Sequence, residues 1–206
     1  MNIVLSIILG YLVGSIPFAL IFGKIFGGID VREHGSGNLG GTNVIRILGA
    51  RIGIPVIFCD IGKGILAAFI GTLIGGELLG LVAGIFAVFG HFYPIFAGFK
   101  GGKGVATGAG VFIYLAPFQM LIVVSIFLLV LIIFGYVSLA SIIGSAAGII
   151  LFILPEFLTG MNINLGVRLG ALLIGGFIIY KHRSNIRKLA IGEEKRTLYK
   201  NRGMKK

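Results

Sequence analysis

The chain has 206 residues, of which 57% are hydrophobic and only 12% charged, with a mean hydropathy of +1.06. That is too little polar side chain to coat a soluble globule, so the composition excludes a water-soluble fold and leaves a membrane protein. The 18 Lys and Arg against 7 Asp and Glu give a net charge of +11, which sorts by loop and does not imply a nucleic-acid partner. A single Cys, three His and no Cys/His cluster exclude an internal disulfide and zinc-type ligand spacing, and no cofactor is expected.

Crossing a ~30 Å hydrocarbon core takes ~20 apolar residues. The first apolar run, 3–22, has no basic segment before it and no small-residue cleavage site after it, so it reads as a retained span and not a signal peptide. Later spans fall at 52–75, 78–96, 105–116, 118–134, 138–154 and 163–180, the fourth being short. The expected fold is an all-α polytopic helix bundle of about seven transmembrane helices in a single domain, 1–206. Five spans plus re-entrant segments is the alternative. Alternation from an external N-terminus puts 23–51, 97–104, 135–137 and 181–206 on one face with 16 of the 18 Lys and Arg, the exceptions being Lys63 and Arg168. Positive-inside counting then gives N-out, C-in, with Glu77 and Glu156 in the opposite loops. Arg168 is expected to snorkel outward or meet Glu156. The 35 glycines recur at i, i+4, as in Gly10/Gly14, Gly80/Gly84 and Gly144/Gly148, a spacing that brings lipid-embedded helices together.

The first inner connection is long and carries His34-Gly35-Ser36-Gly37-Asn38-Leu39-Gly40-Gly41-Thr42-Asn43, then Arg46. Glycines let backbone N–H groups turn toward one point, and Ser, Thr, Asn and Arg add donors, so the composition is that of an anion cradle; a flexible linker is the bland alternative. The second reads Phe99-Lys100-Gly101-Gly102-Lys103-Gly104-Val105 and enters an apolar helix, which suits a phosphate at a helix N-terminus. It is not a Walker A motif, which would need Ser or Thr where Gly104 stands. Lys100 reads as a topology anchor. Ser138 either caps the sixth helix or contributes to a site. His182 and Asn185, at i, i+3, share one helical face. Asp60 and Lys63, also i, i+3 and inside the second span, read as an intrahelical ion pair because a lone charge there is expensive.

These motifs resemble the bacterial acyl-phosphate-dependent glycerol-3-phosphate acyltransferases known as the PlsY family. The matching pieces are Gly-Ser-Gly-Asn-x-Gly-x-Thr-Asn-x-x-Arg from Gly35 to Arg46, and Gly-His-x-x-Pro-x-Phe with Phe-Lys-Gly-Gly-Lys-Gly-Val-Ala-Thr from Gly90 to Thr107. Gly-Tyr-x-Ser-Leu from Gly135, His182-x-x-Asn185-Ile186 with Gly192-x-Glu194, and Asp60-x-x-Lys63-Gly64 complete a resemblance over the whole chain. Leu39, Gly41 and Lys188 stand where the family often has Pro, Ala and Arg.

The resemblance implies transfer of a fatty acyl group from acyl phosphate to the 1-hydroxyl of glycerol 3-phosphate, giving lysophosphatidic acid for phospholipid synthesis. It places the protein in the bacterial inner membrane, with the site facing the cytoplasm and a phosphate acyltransferase supplying the donor. Lys103 with the backbone of Gly101, Gly102 and Gly104, and Arg46, would hold phosphate; Ser36, Gly37, Asn38, Thr42 and Asn43 would bind or orient a phosphate or the glycerol hydroxyls. His182 and Asn185 would close the site, His182 as a donor to phosphate or as a general base, with Ser138 as a further polar ligand. Glu194, Asp60 and Lys63 read as structural support. No His-x-x-x-x-Asp pair is present and no base adjoins Ser36, so direct attack by the acceptor hydroxyl is favoured over an acyl-Ser36 intermediate. A small helical transporter of an anionic solute is the alternative, though such proteins place their polar sites near the bilayer midplane.

Overall fold

The structure is a computed structural model that describes residues 1–154 and 163–197. All regular elements among the described residues are helical. In chain order they are α1 (Asn2–Gly14), α2 (Phe18–Gly27), α3 (Gly41–Leu48), α4 (Ala50–Gly75), α5 (Glu77–Phe92), α6 (Val105–Leu115), α7 (Pro117–Phe134), α8 (Val137–Ile153), α9 (Leu165–Lys181) and α10 (Arg183–Ala190), with a 3-10 turn at Ile95–Ala97.

Every apolar run read from the sequence is helical, but the runs differ in reach. Among the described residues four stretches, Asn2–Gly27, Ala50–Gly75, Glu77–Ala97 and Pro117–Phe134, are long and apolar enough to cross a membrane; α9 and α10, bent by 53°, pass the same test only when counted together as one span. The 11 residues of α6 rise ~16 Å, about half of a ~30 Å core, and α8 has 17 residues. The expected first span is interrupted at Pro17, whose ring lacks the N–H needed to continue the α1 ladder. The third ends as an α-helix at Phe92, just before Pro94.

Packing is by small residues. A methyl group on Gly10 or Gly14 of α1 would run into the Ala83 and Ala87 carbonyls of α5, and one on Gly64 or Gly110 would run into backbone across the α4–α6 crossing. These helices touch main chain to main chain, the arrangement that substitutes for a hydrophobic drive in lipid. One apolar core joins α5, α6, α8 and α9 through Val88, Phe92, Phe112, Phe152 and Ile174. A second joins α2, α3 and α4 through Ala19, Leu20, Val44 and Val56, with Val31 and Leu39 of the long loop. Leu128, Leu129, Ile132 and Ile133 of α7 are exposed, as a lipid-facing surface requires. Arg168 donates to the carbonyls of Ile163 at 3.0 Å and Leu154 at 2.9 Å, satisfying acceptors around the end of α8; Glu156, its other expected partner, lies outside the described residues.

Candidate active site

Four connections meet at one end of the bundle. Arg32 is held by Asp30, with Nε 2.9 Å from Oδ1, and its Nη1 donates to the Ala97 carbonyl at 3.0 Å, tying the first loop to the second. The Arg32 hydrogen bonds hold the Asp30 carboxyl down at about 2. Asn43, 1% exposed, fixes the path of the loop. Its Oδ1 accepts from the Ser36 N–H at 2.8 Å and the Ser36 hydroxyl at 3.1 Å, and its Nδ2 donates to the Val31 and His34 carbonyls. The carboxamide's capacity is thereby spent on the loop, so Asn43 is placed as a brace beneath Ser36.

The second loop is built on α5. The Gly102 N–H donates to the His91 carbonyl at 3.0 Å, and side chains on Gly101 or Gly102 would strike the His91 main chain or imidazole. These two glycines therefore serve close approach to α5. Gly104 adopts a left-handed conformation, φ +74°, at the N-cap of α6, where the chain turns from the loop into the helix. Lys103 donates from Nζ to Oδ1 of Asn185 on α10. Asn185 donates to Glu194 Oε1 at 2.9 Å, and Ser138 donates to the same oxygen at 2.7 Å. Ser138 thus meets Glu194 and makes no cap bond to α8. The Thr197 N–H donates to the Gly135 carbonyl at 2.8 Å, which lays the last described segment across the third connection.

Charge at this end is cationic and partly desolvated. Burial pulls Lys103 down to about 8, with the nearby Arg46 and Lys188 charges acting the same way and Glu194 opposing them. Burial, then the Lys103 charge, lowers His182 to about 4. The His182 Nδ1 lies 2.8 Å from the Ile178 carbonyl; a carbonyl only accepts, so Nδ1 carries the proton and Nε2 of the neutral ring is an acceptor. Arg46 Nε is buried with no hydrogen-bond partner among the described residues, a charged donor that an anion would satisfy.

These groups open into one cavity of about 580 Å³. Its polar end is lined from the first loop and α3 by Ser36, Asn38, Thr42, Asn43 and Arg46, and from the other connections by Lys103, Gly104, Ser138, His182, Asn185 and Glu194. Gly37, Gly101, Gly102 and Lys63 do not line it. Its depth is apolar, running between α6, α7, α8 and α9 past Val123, Phe127, Ile149 and Ile174 to Phe112 and Phe152. Asp60 and His91 also line it, and behind them Lys63 pairs with Asp60 at 2.7 Å and donates to the Ile16 carbonyl at 3.0 Å. His91 Nδ1 lies 3.2 Å from Thr107 Oγ1 and 3.6 Å from Asp60 Oδ1. This buried cluster joins α1, α4, α5 and α6 beneath the second loop. Among the described residues no three His, Cys, Asp or Glu side chains converge as a metal would require.

Two parts of the cavity escape a reading of the sequence: its apolar wall, and Thr197, whose buried Oγ1 has no partner among the described residues. The wall does leave a signal, because Ser138, Ser141, Gly144, Ser145 and Gly148 form a small-residue stripe at helical spacing. That stripe has the same spacing as the glycines of a helix–helix contact, which hides its second use.

The chain matches the family model described as "Glycerol-3-phosphate acyltransferase" over residues 4–192. It is 46% identical over 185 residues to a glycerol-3-phosphate acyltransferase of Geobacillus kaustophilus (strain HTA426), covering 90% of this chain and 91% of that one. It also resembles two crystal structures of PlsY (YgiH), an integral membrane glycerol 3-phosphate acyltransferase. The glycerol 3-phosphate form has TM-score 0.86 at 39% identity, covering 95% of this chain and 96% of that one, and the lysophosphatidic acid form has TM-score 0.84 at 38% identity, covering 95% of each. With its helices, its clustered motif residues and these likenesses in agreement, the chain belongs to the glycerol-3-phosphate acyltransferase family.

Proposed function

We propose that the protein transfers a fatty acyl group from acyl phosphate to the 1-hydroxyl of glycerol 3-phosphate, yielding lysophosphatidic acid and orthophosphate. The observation that carries this is the two-part cavity: a cation-lined mouth with an unpartnered Arg46 Nε opens directly into an apolar channel. A phosphate and an acyl chain on one molecule need that continuity. The structures of relatives described as glycerol 3-phosphate and lysophosphatidic acid forms support the acceptor and the product.

Lys103 and Arg46 offset the charge of the substrate phosphates and of the departing phosphate, where fixed donors in a partly dry site act most strongly. Asn185, itself fixed by Glu194, orients the Lys103 ammonium. The acceptor oxygen attacks the acyl carbonyl carbon, forming the ester C–O bond. The bond from that carbon to the phosphate oxygen breaks, and the hydroxyl proton passes to a phosphate oxygen. His182 Nε2 accepts a hydrogen bond from a glycerol hydroxyl and does little as a base, because burial holds it at about 4. The Ser36 hydroxyl donates its hydrogen bond to the Asn43 amide oxygen, which is too weak a base to deprotonate it, and this supports a positioning role over an acyl-Ser36 intermediate.

The same reading places the protein in the bacterial inner membrane as one domain, N-out and C-in, with the mouth facing the cytoplasm and a phosphate acyltransferase supplying the donor. Purified protein given glycerol 3-phosphate is expected to form lysophosphatidic acid from acyl phosphate and release orthophosphate in equal amount, with little turnover of acyl-CoA. Efficient use of acyl-CoA would overturn the donor. No transfer from any donor, with solute uptake into proteoliposomes, would overturn the enzyme.

A further inference from the structure

The depth of the cavity is graded along one helix. On α8 the lining residues Ser138, Ser141, Gly144, Gly148 and Phe152 descend one face from the polar end. Through Gly148 that face is small, and the gap beside it is open. A methyl on Gly144 would only reach ordinary contact with Phe127 at 3.5 Å, and one on Gly148 the same with Val123. One turn further the face changes abruptly to Phe152, 2% exposed, whose ring lies 5.1 Å from that of Phe112 on α6. Met120, at the start of α7, is buried beside them. Phe112, Met120 and Phe152 all line the cavity and all belong to the packed core behind it, so the cavity ends on side chains with no room to retreat.

We propose that Phe152, backed by Phe112, sets the longest acyl chain the enzyme uses, with the Gly144/Gly148 face keeping the path to it open. The inference rests on the acyl-transfer reading above. From Ser138 to Phe152 the helix rises ~21 Å. Carbon–carbon bonds of ~1.5 Å in an extended zigzag advance about 1.3 Å each, so that depth takes an acyl chain of roughly sixteen carbons. The Gly and Ser face of α8 leaves room for any shorter chain; the aromatic floor stops a longer one.

The test uses purified full-length protein with acyl phosphates of ten to twenty carbons in competition, at fixed glycerol 3-phosphate. The unaltered protein is expected to lose at least tenfold in kcat/KM within a few methylenes beyond its optimum, as a pocket that cannot yield does. Phe152→Ala should move that cutoff outward by roughly two to four carbons, the depth of a benzyl group at about 1.3 Å per methylene. Gly148→Leu should move it inward by a similar amount. An identical length profile in the unaltered protein and both variants would overturn the floor assignment while leaving acyl transfer standing. Absence of transfer at every length in the unaltered protein would overturn the reading beneath it. Should Phe152→Ala fail to fold, Gly148→Leu and the milder Phe152→Leu decide the matter in opposite directions of shift.

Discussion

At the scale of single residues, Lys103 and Arg46 are not equivalent cations. The Lys103 ammonium is held by Asn185 and its proton affinity is lowered to about 8 by burial, whereas Arg46 presents a buried Nε with no partner among the described residues. Lys103 carries its charge below about 8 and loses it above. Capture of a phosphate dianion should therefore weaken as pH rises through that value, with kcat/KM for glycerol 3-phosphate falling on an alkaline limb. Lys103→Arg should flatten the limb even though a planar fork fits the Asn185 contact less well. Lys103→Ala should cost at least ~tenfold in kcat/KM, the worth of a charge-assisted contact. A limb unchanged in Lys103→Arg would assign the titration to another group. These two cations were legible in the sequence because Gly-Gly-Lys-Gly and Thr-Asn-x-x-Arg are unusual at a membrane border. The division of labour among their neighbours was not, since the roles of Asn43 and Gly102 depend on partners 7 to 12 residues away along the loop and on another helix.

At the scale of elements, α6 is the piece whose position the site depends on most. It begins at Gly104, immediately after Lys103, and it is held by backbone contact with α4 through Gly64 and Gly110. Gly64→Ala should force α6 away from α4 and cost about 1–3 kcal/mol, the penalty of overpacking a filled contact, with activity falling alongside. A methyl group on Gly62, two residues away on the same helix, would meet nothing within 4 Å, so Gly62→Ala should be neutral or raise stability by about 0.5–1 kcal/mol through helix propensity. Thermal unfolding in detergent would separate the two; equal effects would place the helix contact elsewhere. Hydropathy revealed where α4 and α6 start and stop, because an apolar run bounded by Gly or Pro is a local signal, while the break at Pro17 inside the first run escaped it. It could not reveal which glycines lie at a crossing and which face a cavity, because both patterns are i, i+4.

At the scale of the whole molecule, the placement of four connections at one end agrees with the alternation of basic loops along the chain. Reporters fused after Gly37, Lys100 and Lys206 should all read cytoplasm, and one near Glu156 should read the outside; a translocated reporter at either Gly37 or Lys100 would contradict a shared site. Charge sorting is legible because it is a count over loops, while the channel between α6, α7, α8 and α9 arises only when helices from both halves of the chain converge. The strap formed by Glu194 and Thr197 also bears on synthesis of the protein. Arg46 leaves the ribosome roughly 150 residues before Glu194, an interval on the order of 10 s at ordinary elongation rates. Within it Lys103 waits 82 residues for Asn185, and Ser138 waits 56 residues for Glu194. A chain interrupted before Glu194 would thus be inserted in the membrane with these contacts unmade, and it is expected to be inactive, so quality control that reads helix insertion alone would pass it.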